Sequence, residues 1–364
     1  MTLLPGGVDT SDTRLLALLG GVLRPESPAS LAAEQPAIFG PAATGHICSI
    51  EIGGEIVAGA ACTARIMITP RGRLKIGLIG SVATDPSARK QGHGAAAVEA
   101  CELYLLQQGC STVLLWADVP AFYQKRGYIF AGTEYLFLLP PLDGWTPAGI
   151  VERYQSEDLH SVEQIRQKES ARSDRPRAES ALHYENAGTE VYIYRPFSSD
   201  HITNRITAYA AFGRGGDLAG TVHEFGGSVS GIISILQHIL QIHKLESLLI
   251  IVNAHRADLI DILESCGIER QSGVLGMVKC LDLPALANEL HKKLPEGAKV
   301  EISERNAIFS YNNKTMALSE TELLRAVIGD GGKREVLQSI ETALGIPEIV
   351  NLPIEPGFGG FDSI

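Results

Sequence analysis

Apolar and polar positions along this chain fall into two successive runs of strand and helix periods, separated by a turn-rich break. Leu15, Leu16, Leu18, Leu19 and Leu23 cluster within residues 11–33 and predict one or two short helices. His46 to Ala61 reads as a hairpin turning at Gly53-Gly54, and Cys62 to Thr69 as a further strand ending at the turn Pro70-Arg71-Gly72. An apolar strand from Leu74 to Thr84 then runs, through a short loop, into a helix from Ala95 to Gln108. A β-branched strand from Thr112 to Ala117 lies beyond it. A last strand, Ile129 to Leu138, leads to Pro140-Pro141-Leu142-Asp143-Gly144-Trp145-Thr146-Pro147, whose composition marks a boundary.

After the boundary the order of elements repeats. Strands at Ile206–Phe212 and Leu218–Glu224 flank the turn Gly213-Arg214-Gly215-Gly216-Asp217. Ile232, Ile235, Leu236, Ile239 and Ile242 stand at helical spacing within Val229–His243. A strand at Leu248–Val252, a helix at Ala257–Cys266 and a strand at Gly273–Leu281 close this second unit. The rest has a different pattern: helices at Pro284–Lys293, Ser319–Ile328 and Lys333–Leu344, and a hairpin at Lys299–Tyr311. Ser319 followed by Glu320 and Glu322 supplies a cap and first-turn negative charge. The tail, with Pro353, Pro356, Gly357, Gly359 and Gly360, is expected to be extended and irregular. The expected domains are residues 1–145, 146–281 and 282–364.

The loop between Thr84 and the following helix carries the first chemical signal. A strand, a basic glycine-containing turn and a helix start form an anion site, because first-turn N–H groups have no helical acceptor and the helix dipole favours negative charge there. Gly92 and Gly94 remove side chains that would keep a phosphate from those N–H groups. The spacing is neither Walker A, since no Gly-Lys-Ser/Thr closes it, nor the dinucleotide Gly-x-Gly-x-x-Gly. It is Arg89-Lys90-Gln91-Gly92-His93-Gly94, a match to Arg/Gln-x-x-Gly-x-Gly/Ala. Taken alone, it can also be read as a glycine-rich turn with a stray arginine. A second motif follows at the expected distance: Phe122-Tyr123-Gln124-Lys125-Arg126-Gly127-Tyr128.

With both motifs in order the chain resembles the GNAT superfamily of N-acetyltransferases. The second motif is usually written Phe-Tyr-x-Lys-x-Gly-Phe, from which Tyr128 departs. The three-part arrangement is similar to the Eis-type acetyltransferases, with a degenerate second GNAT unit and a sterol-carrier-like C-terminal domain, although the last part here is short for that fold. The resemblance implies an α/β protein: two tandem GNAT-like mixed-sheet units plus a small α+β C-terminal region. It also implies acetyl-CoA as co-substrate. The N–H groups of Lys90, Gln91, Gly92, His93, Gly94 and Ala95 would hold its pyrophosphate, with Arg89 adding a charge-assisted contact. Val82, Ala83 and Thr84 would offer backbone N–H groups to the pantetheine and the carbonyl, and Phe122 would pack against cofactor or core. His93 is assigned a backbone role alone.

Acetyl transfer to an amine needs a donor for the developing oxyanion, a neutral amine, and a proton for the leaving thiolate. Tyr123 is the candidate proton donor, because a phenol is protonated at neutral pH. For the base, Glu51, Glu55 and Glu134 lie on or beside strands and read as solvated residues. Eis-type enzymes bring the chain's own C-terminal carboxylate into the first unit. Here Phe361 would anchor a flexible tail and the Ile364 carboxylate would act as base. His223-Glu224 reads as structural. The second unit's loop, Phe225-Gly226-Gly227-Ser228-Val229-Ser230-Gly231, has no Arg or Lys, so this unit is expected to be structural or a wall of the acceptor site.

Composition narrows the partners. With 31 Lys and Arg against 42 Asp and Glu, the net charge of −11 argues against nucleic-acid binding and is compatible with a cationic acceptor, a small-molecule or protein amine. The six cysteines show no Cys-x-x-Cys spacing, so neither a metal site nor a disulfide framework is expected. No secretory leader and no membrane-length apolar run is visible, and a cytoplasmic protein, compatible with homo-oligomers, is expected. Two other classes remain: a non-catalytic acyl-CoA-binding or regulatory protein, and a lipid-carrying module resting on the C-terminal region.

Overall fold

The computed structural model describes residues 2–3, 12–27, 30–40, 43–186, 188–198, 201–202 and 205–362. The first unit comprises β1 (Thr2–Leu3), α1 (Thr13–Leu23), α2 (Ser30–Glu34), α3 (Pro36–Phe39), β2 (His46–Ile52), β3 (Glu55–Thr69), β4 (Gly72–Thr84), α4 (His93–Gln107), β5 (Thr112–Leu115), α5 (Pro120–Gln124), β6 (Ile129–Ala131) and β7 (Glu134–Leu139). The second comprises β8 (Gly149–Arg153), α6 (Leu159–Arg166), β9 (Arg172–Ser173), α7 (Arg177–Tyr184), β10 (Glu190–Ser198), β11 (His201–Ile202), β12 (Ala208–Phe212), β13 (Thr221–Gly227), α8 (Val229–Ile242), β14 (Leu248–Val252), α9 (Ala257–Ser265), β15 (Arg270–Gly273) and β16 (Gly276–Cys280). The C-terminal region adds α10 (Leu283–His291), β17 (Lys299–Ser303), β18 (Asn306–Tyr311), β19 (Lys314–Ser319), α11 (Glu320–Ile328) and α12 (Glu335–Leu344). Its expected hairpin gains a third strand, because Asn312 and Asn313 both take left-handed backbone and turn the chain back on itself.

Each unit is built on a mixed sheet whose strands are antiparallel except for one central parallel pair. The first sheet runs β1-β2-β3-β4-β5-β16-β6 and the second β11-β10-β12-β13-β14-β7-β15. The parallel pairs are β4 with β5 and β13 with β14, each joined by a crossover helix, α4 or α8. Helix α4 buries Ala97, Val98, Cys101 and Leu105 against Cys48, Ala60, Cys62 and Ile79. The other face of that sheet, with Met67, Leu74, Ile76, Leu78 and Leu114, is covered by the C-terminal region through Leu286, Phe309, Leu323 and Val327. The second sheet packs Val222 and Ile250 on Ile232, Ile235, Leu236 and Ile239 of α8.

The sheets do not follow the order of the chain. The expected strand Ile129–Leu138 is two strands broken at Gly132-Thr133: β6 stays in the first sheet and β7 crosses into the second, between β14 and β15. The expected strand Gly273–Leu281 breaks in the same way, and β16 crosses back to sit between β5 and β6. Each unit thus lends its penultimate position to a strand of the other. The pairs Ala131↔Gly276 and Glu134↔Gly273 mark the crossing.

Candidate active site

The first unit's two central strands separate. β4 and β5 pair over Ile76↔Thr112, Gly77↔Val113 and Leu78↔Leu114 and no further. Beyond that point β4 is bulged: Ala61 faces Gly80 and Gly59 faces Ala83, so Ser81 and Val82 together oppose Ala60. Ser81 takes a left-handed φ of 48°, and its buried hydroxyl has no partner. The bulge turns Val82, Ala83 and Thr84 away from β5 and leaves a V-shaped opening, with Gly80, Ser81 and Val82 partly exposed along it.

At the mouth of the opening the chain makes the expected cradle. Asp85 accepts from the Ser87 N–H at 2.8 Å and from its hydroxyl, which fixes the turn after β4. Arg89 reaches back to the Thr84 carbonyl at 3.3 Å and keeps its head exposed. Lys90 and Gly92 adopt φ of 63° and 87°, and α4 begins at His93, two residues earlier than the apolar periodicity suggests. The first helical bond there is from the Ala96 N–H to the Gly92 carbonyl, so the N–H groups of His93, Gly94 and Ala95 precede the helical ladder. A Cβ on Gly92 would meet no protein atom within 4 Å, which leaves that side open to a ligand. One on Gly94 would come within 2.6 Å of the Thr84 hydroxyl. These residues fit a pyrophosphate.

Tyr123, Phe122 and Tyr128 lie beside the cradle. Tyr123 is 9% exposed and packs edge-on to Phe122 and Tyr128. Burial, and secondarily the Asp118 charge, push its hydroxyl up to about 12, so it is protonated throughout the neutral range. Phe122 lies under the Arg126 guanidinium, 3.8 Å from the ring centre. The Tyr128 departure from the motif has a structural reason. Its hydroxyl donates to Glu102 Oε1 at 2.8 Å, and Lys279 Nζ donates to Glu102 Oε2 at 2.6 Å. A phenylalanine would leave that buried carboxylate a donor short. Lys279 comes from β16, so the exchanged strand supports the motif.

The second unit has the same frame, filled. β13 and β14 pair over Thr221↔Leu249 and Val222↔Ile250, then separate. The C-terminal tail lies in this opening: Cβ atoms on Gly357, Gly359 and Gly360 would come within 2.9 Å of Asn253, 2.6 Å of Glu224 and 2.5 Å of His223. At the end of β13, just before α8, the Glu169 carboxylate accepts from the Gly227 N–H at 2.7 Å and from Arg256 at 3.1 Å. A cavity of about 50 Å³ is left, lined in part by Arg172, Ser173, Tyr209 and Phe225. His223 and Glu224 are structural here. Burial lowers the His223 imidazole to about 4 while Nε2 contacts the Gly213 carbonyl. Burial would raise Glu224, but the bidentate Arg175 holds it at about 2.

Val82, Ala83, Thr84, the residues Arg89 to Ala95, Phe122 and Tyr123 are therefore gathered at one end of the first sheet. Ile364 lies outside the described residues. Phe361 is an anchor, 2% exposed, but it is seated in the second unit, among His183, Tyr184 and His223. Phe358 reaches the first unit, edge-on to Trp116 at 5.9 Å just past the end of β5. Glu134 is not the solvated strand residue its position suggests. It is half-buried, with no side-chain hydrogen bond among the described residues, and burial pushes its carboxyl up to about 7. Ser81, Trp116 and Glu169 were not singled out in the sequence. Among them Trp116 carried a signal, as a large aromatic ending an apolar strand. Among the described residues no cluster of side chains is arranged to hold a metal ion, and no helix is long and apolar enough to cross a membrane.

Residues 17–128 match the acetyltransferase (GNAT) family, a span that ends on Tyr128 of the second motif. The first unit is therefore similar to GNAT acetyltransferases over this span. No curated protein sequence matches the chain. Among solved structures it is similar to a conserved protein of unknown function from Enterococcus faecalis V583, described as a probable N-acyltransferase. The alignment covers 97% of this chain and 96% of that one, at 14% identity and a TM-score of 0.63. GCN5-related N-acetyltransferases from Kribbella flavida and Anabaena variabilis align at 16% and 14% identity, both with a TM-score of 0.54. They cover 87% and 97% of this chain and 86% and 96% of their own. At these identities the likeness is one of fold.

Proposed function

We propose that this protein transfers an acetyl group from acetyl-CoA directly to a primary amine of a small molecule or protein, using one cofactor site in the first unit. The observation that carries this reading is the contrast between the units. Among the described residues the first unit's helix start has open space beside Gly92, and the second unit's opening is filled by the tail. Lys90 to Ala95 and Arg89 hold the pyrophosphate, and the bulged end of β4, Val82 to Thr84, holds the pantetheine and polarises the carbonyl. The neutral amine attacks the thioester carbon, the C–S bond breaks, and Tyr123 gives its proton to the departing sulfur. The amine's proton passes, through a water, to a carboxylate, for which the Ile364 terminus is our candidate. Phe122 packs beside Gly94 and closes the cofactor side.

The test is thiol release from acetyl-CoA against a panel of small amines and peptides, with calorimetry of cofactor binding. One equivalent bound and amine-dependent thiol release support the proposal. Binding without release across the whole panel would instead favour a regulatory acyl-CoA-binding protein. Deleting Ser363 and Ile364 tests the base: turnover should fall strongly while cofactor affinity holds, and a truncated enzyme of normal rate removes Ile364 from the mechanism.

A further inference from the structure

A glycine-rich chain end would ordinarily be slack, but here Gly357, Phe358, Phe361 and Asp362 are buried and Gly359 and Gly360 are half-buried. Each of Gly357, Gly359 and Gly360 stands where a side chain would overlap a residue of the second unit, so the glycines serve close passage and not flexibility. Between and after them come side chains that fill defined places. The Phe361 ring lies 4.9 Å from the His183 ring and 4.8 Å from His223, with the Arg175 guanidinium 5.4 Å from its centre. The Asp362 carboxylate accepts from the Ser173 hydroxyl at 2.7 Å and stands 4.0 Å from both Arg65 and Arg175. The Gly360 carbonyl accepts from Arg214.

We propose that the opening between β13 and β14 is a peptide-binding groove, and that the sequence Phe-Gly-Gly-Phe-Asp at 358–362 is its built-in ligand. The class recognised is an extended peptide with small residues ahead of one aromatic anchor and a carboxylate after it. An acyl-CoA is not the occupant this groove is built for, because the Gly227 N–H ahead of α8 is already bonded to Glu169 and the tail fills the opening. The second unit therefore acts as a receptor that fixes the end of the chain. This inference does not rest on the acetyl-transfer reading, and its test uses no turnover.

The experiment compares full-length wild type with full-length Gly360→Val, whose new side chain collides with His223 and Leu218 and expels the tail. The probe is a fluorescent synthetic peptide of residues 353–364. The variant should bind it one to one, wild type at least tenfold more weakly, and a peptide carrying Phe361→Ala at least tenfold more weakly than the native one. In parallel, carboxypeptidase should stall on wild type before removing Phe361 and run through that point in the variant. Equal peptide binding by both proteins, no binding by the variant, or free trimming of wild type overturns the proposal. Circular dichroism checks the fold. If Gly360→Val does not fold, Phe361→Ala in the full chain replaces it, and the wild-type digestion stands on its own.

Discussion

The two units share a sheet plan, a parallel central pair, a crossover helix and a wedge, yet among the described residues the C-terminal tail is packed into the second wedge, while the first has open space at Gly92. In the first, the helix start is Gly92 with open space beside it. In the second, the cap is Ser228, and the N–H of Gly227 just before it bonds to Glu169. The difference lies in a few residues and not in the frame. A fold can therefore keep the shape of a cofactor site after its chemistry is gone, and function has to be argued from what occupies the wedge.

The comparison is tested most severely at Tyr123. Tyr123→Phe keeps the ring and removes the donor. Turnover should fall by about 10²–10⁴-fold with acetyl-CoA affinity nearly unchanged, as steady-state kinetics beside calorimetry would report. A rate near wild type would mean the first unit's advantage is not this proton. Opening the second cradle is the converse test. Glu169→Leu removes one of the two carboxylates on Arg256, leaving Asp258, and should cost about 1–2 kcal/mol in urea unfolding. The cofactor count should stay at one, because the tail still fills the wedge; two equivalents would show that Glu169 alone kept the second site closed.

Arg89→Ala should weaken cofactor binding by about 1.5–3 kcal/mol, the scale of a hydrogen bond to a charged group. A bulky residue at Gly92 should weaken it further by blocking backbone approach, and unchanged calorimetric affinity in both variants would move the site elsewhere. A pH-dependent effect falls on the exchanged strand. Glu134 has a folded-state value of about 7 against 4.5 in the unfolded chain, so folding binds its proton. Stability from this group is present below about pH 4.5 and is lost as pH rises through 7. Glu134→Gln should therefore remove that loss and raise stability at pH 8 by about 2–3 kcal/mol. Unfolding curves at pH 5 and pH 8 that shift equally would contradict it.

Much of the first site was legible in the sequence because it is local. The loop from Arg89 to Gly94 and the motif from Phe122 to Tyr128 owe their conformation to their own glycines and caps, which a linear reading can see. What was not legible depends on distant residues. Ile129–Leu138 and Gly273–Leu281 look like single strands, because apolar alternation does not say which sheet a strand joins. Gly132 was the available sign of the first break. The tail was misread for a related reason: glycines that allow motion and glycines that allow contact are identical on paper, and the partners that decide between them, Asn253, Glu224 and His223, lie over 100 residues away.

The strand exchange also has a consequence during synthesis. When residues 112–115 leave the ribosome, the neighbour that will pair with Leu115 is Met277, still 162 residues from being made. At cellular rates that is a wait of roughly 8–30 s. For that time β5 has an unpaired apolar edge, and β7, already made, can find no permanent seat, since it belongs to a sheet that does not yet exist. Neither half can be completed first. The nascent chain is thus a natural client for a holding chaperone, and a gene cut at the apparent boundary near residue 145 would yield two polypeptides that each lack a strand.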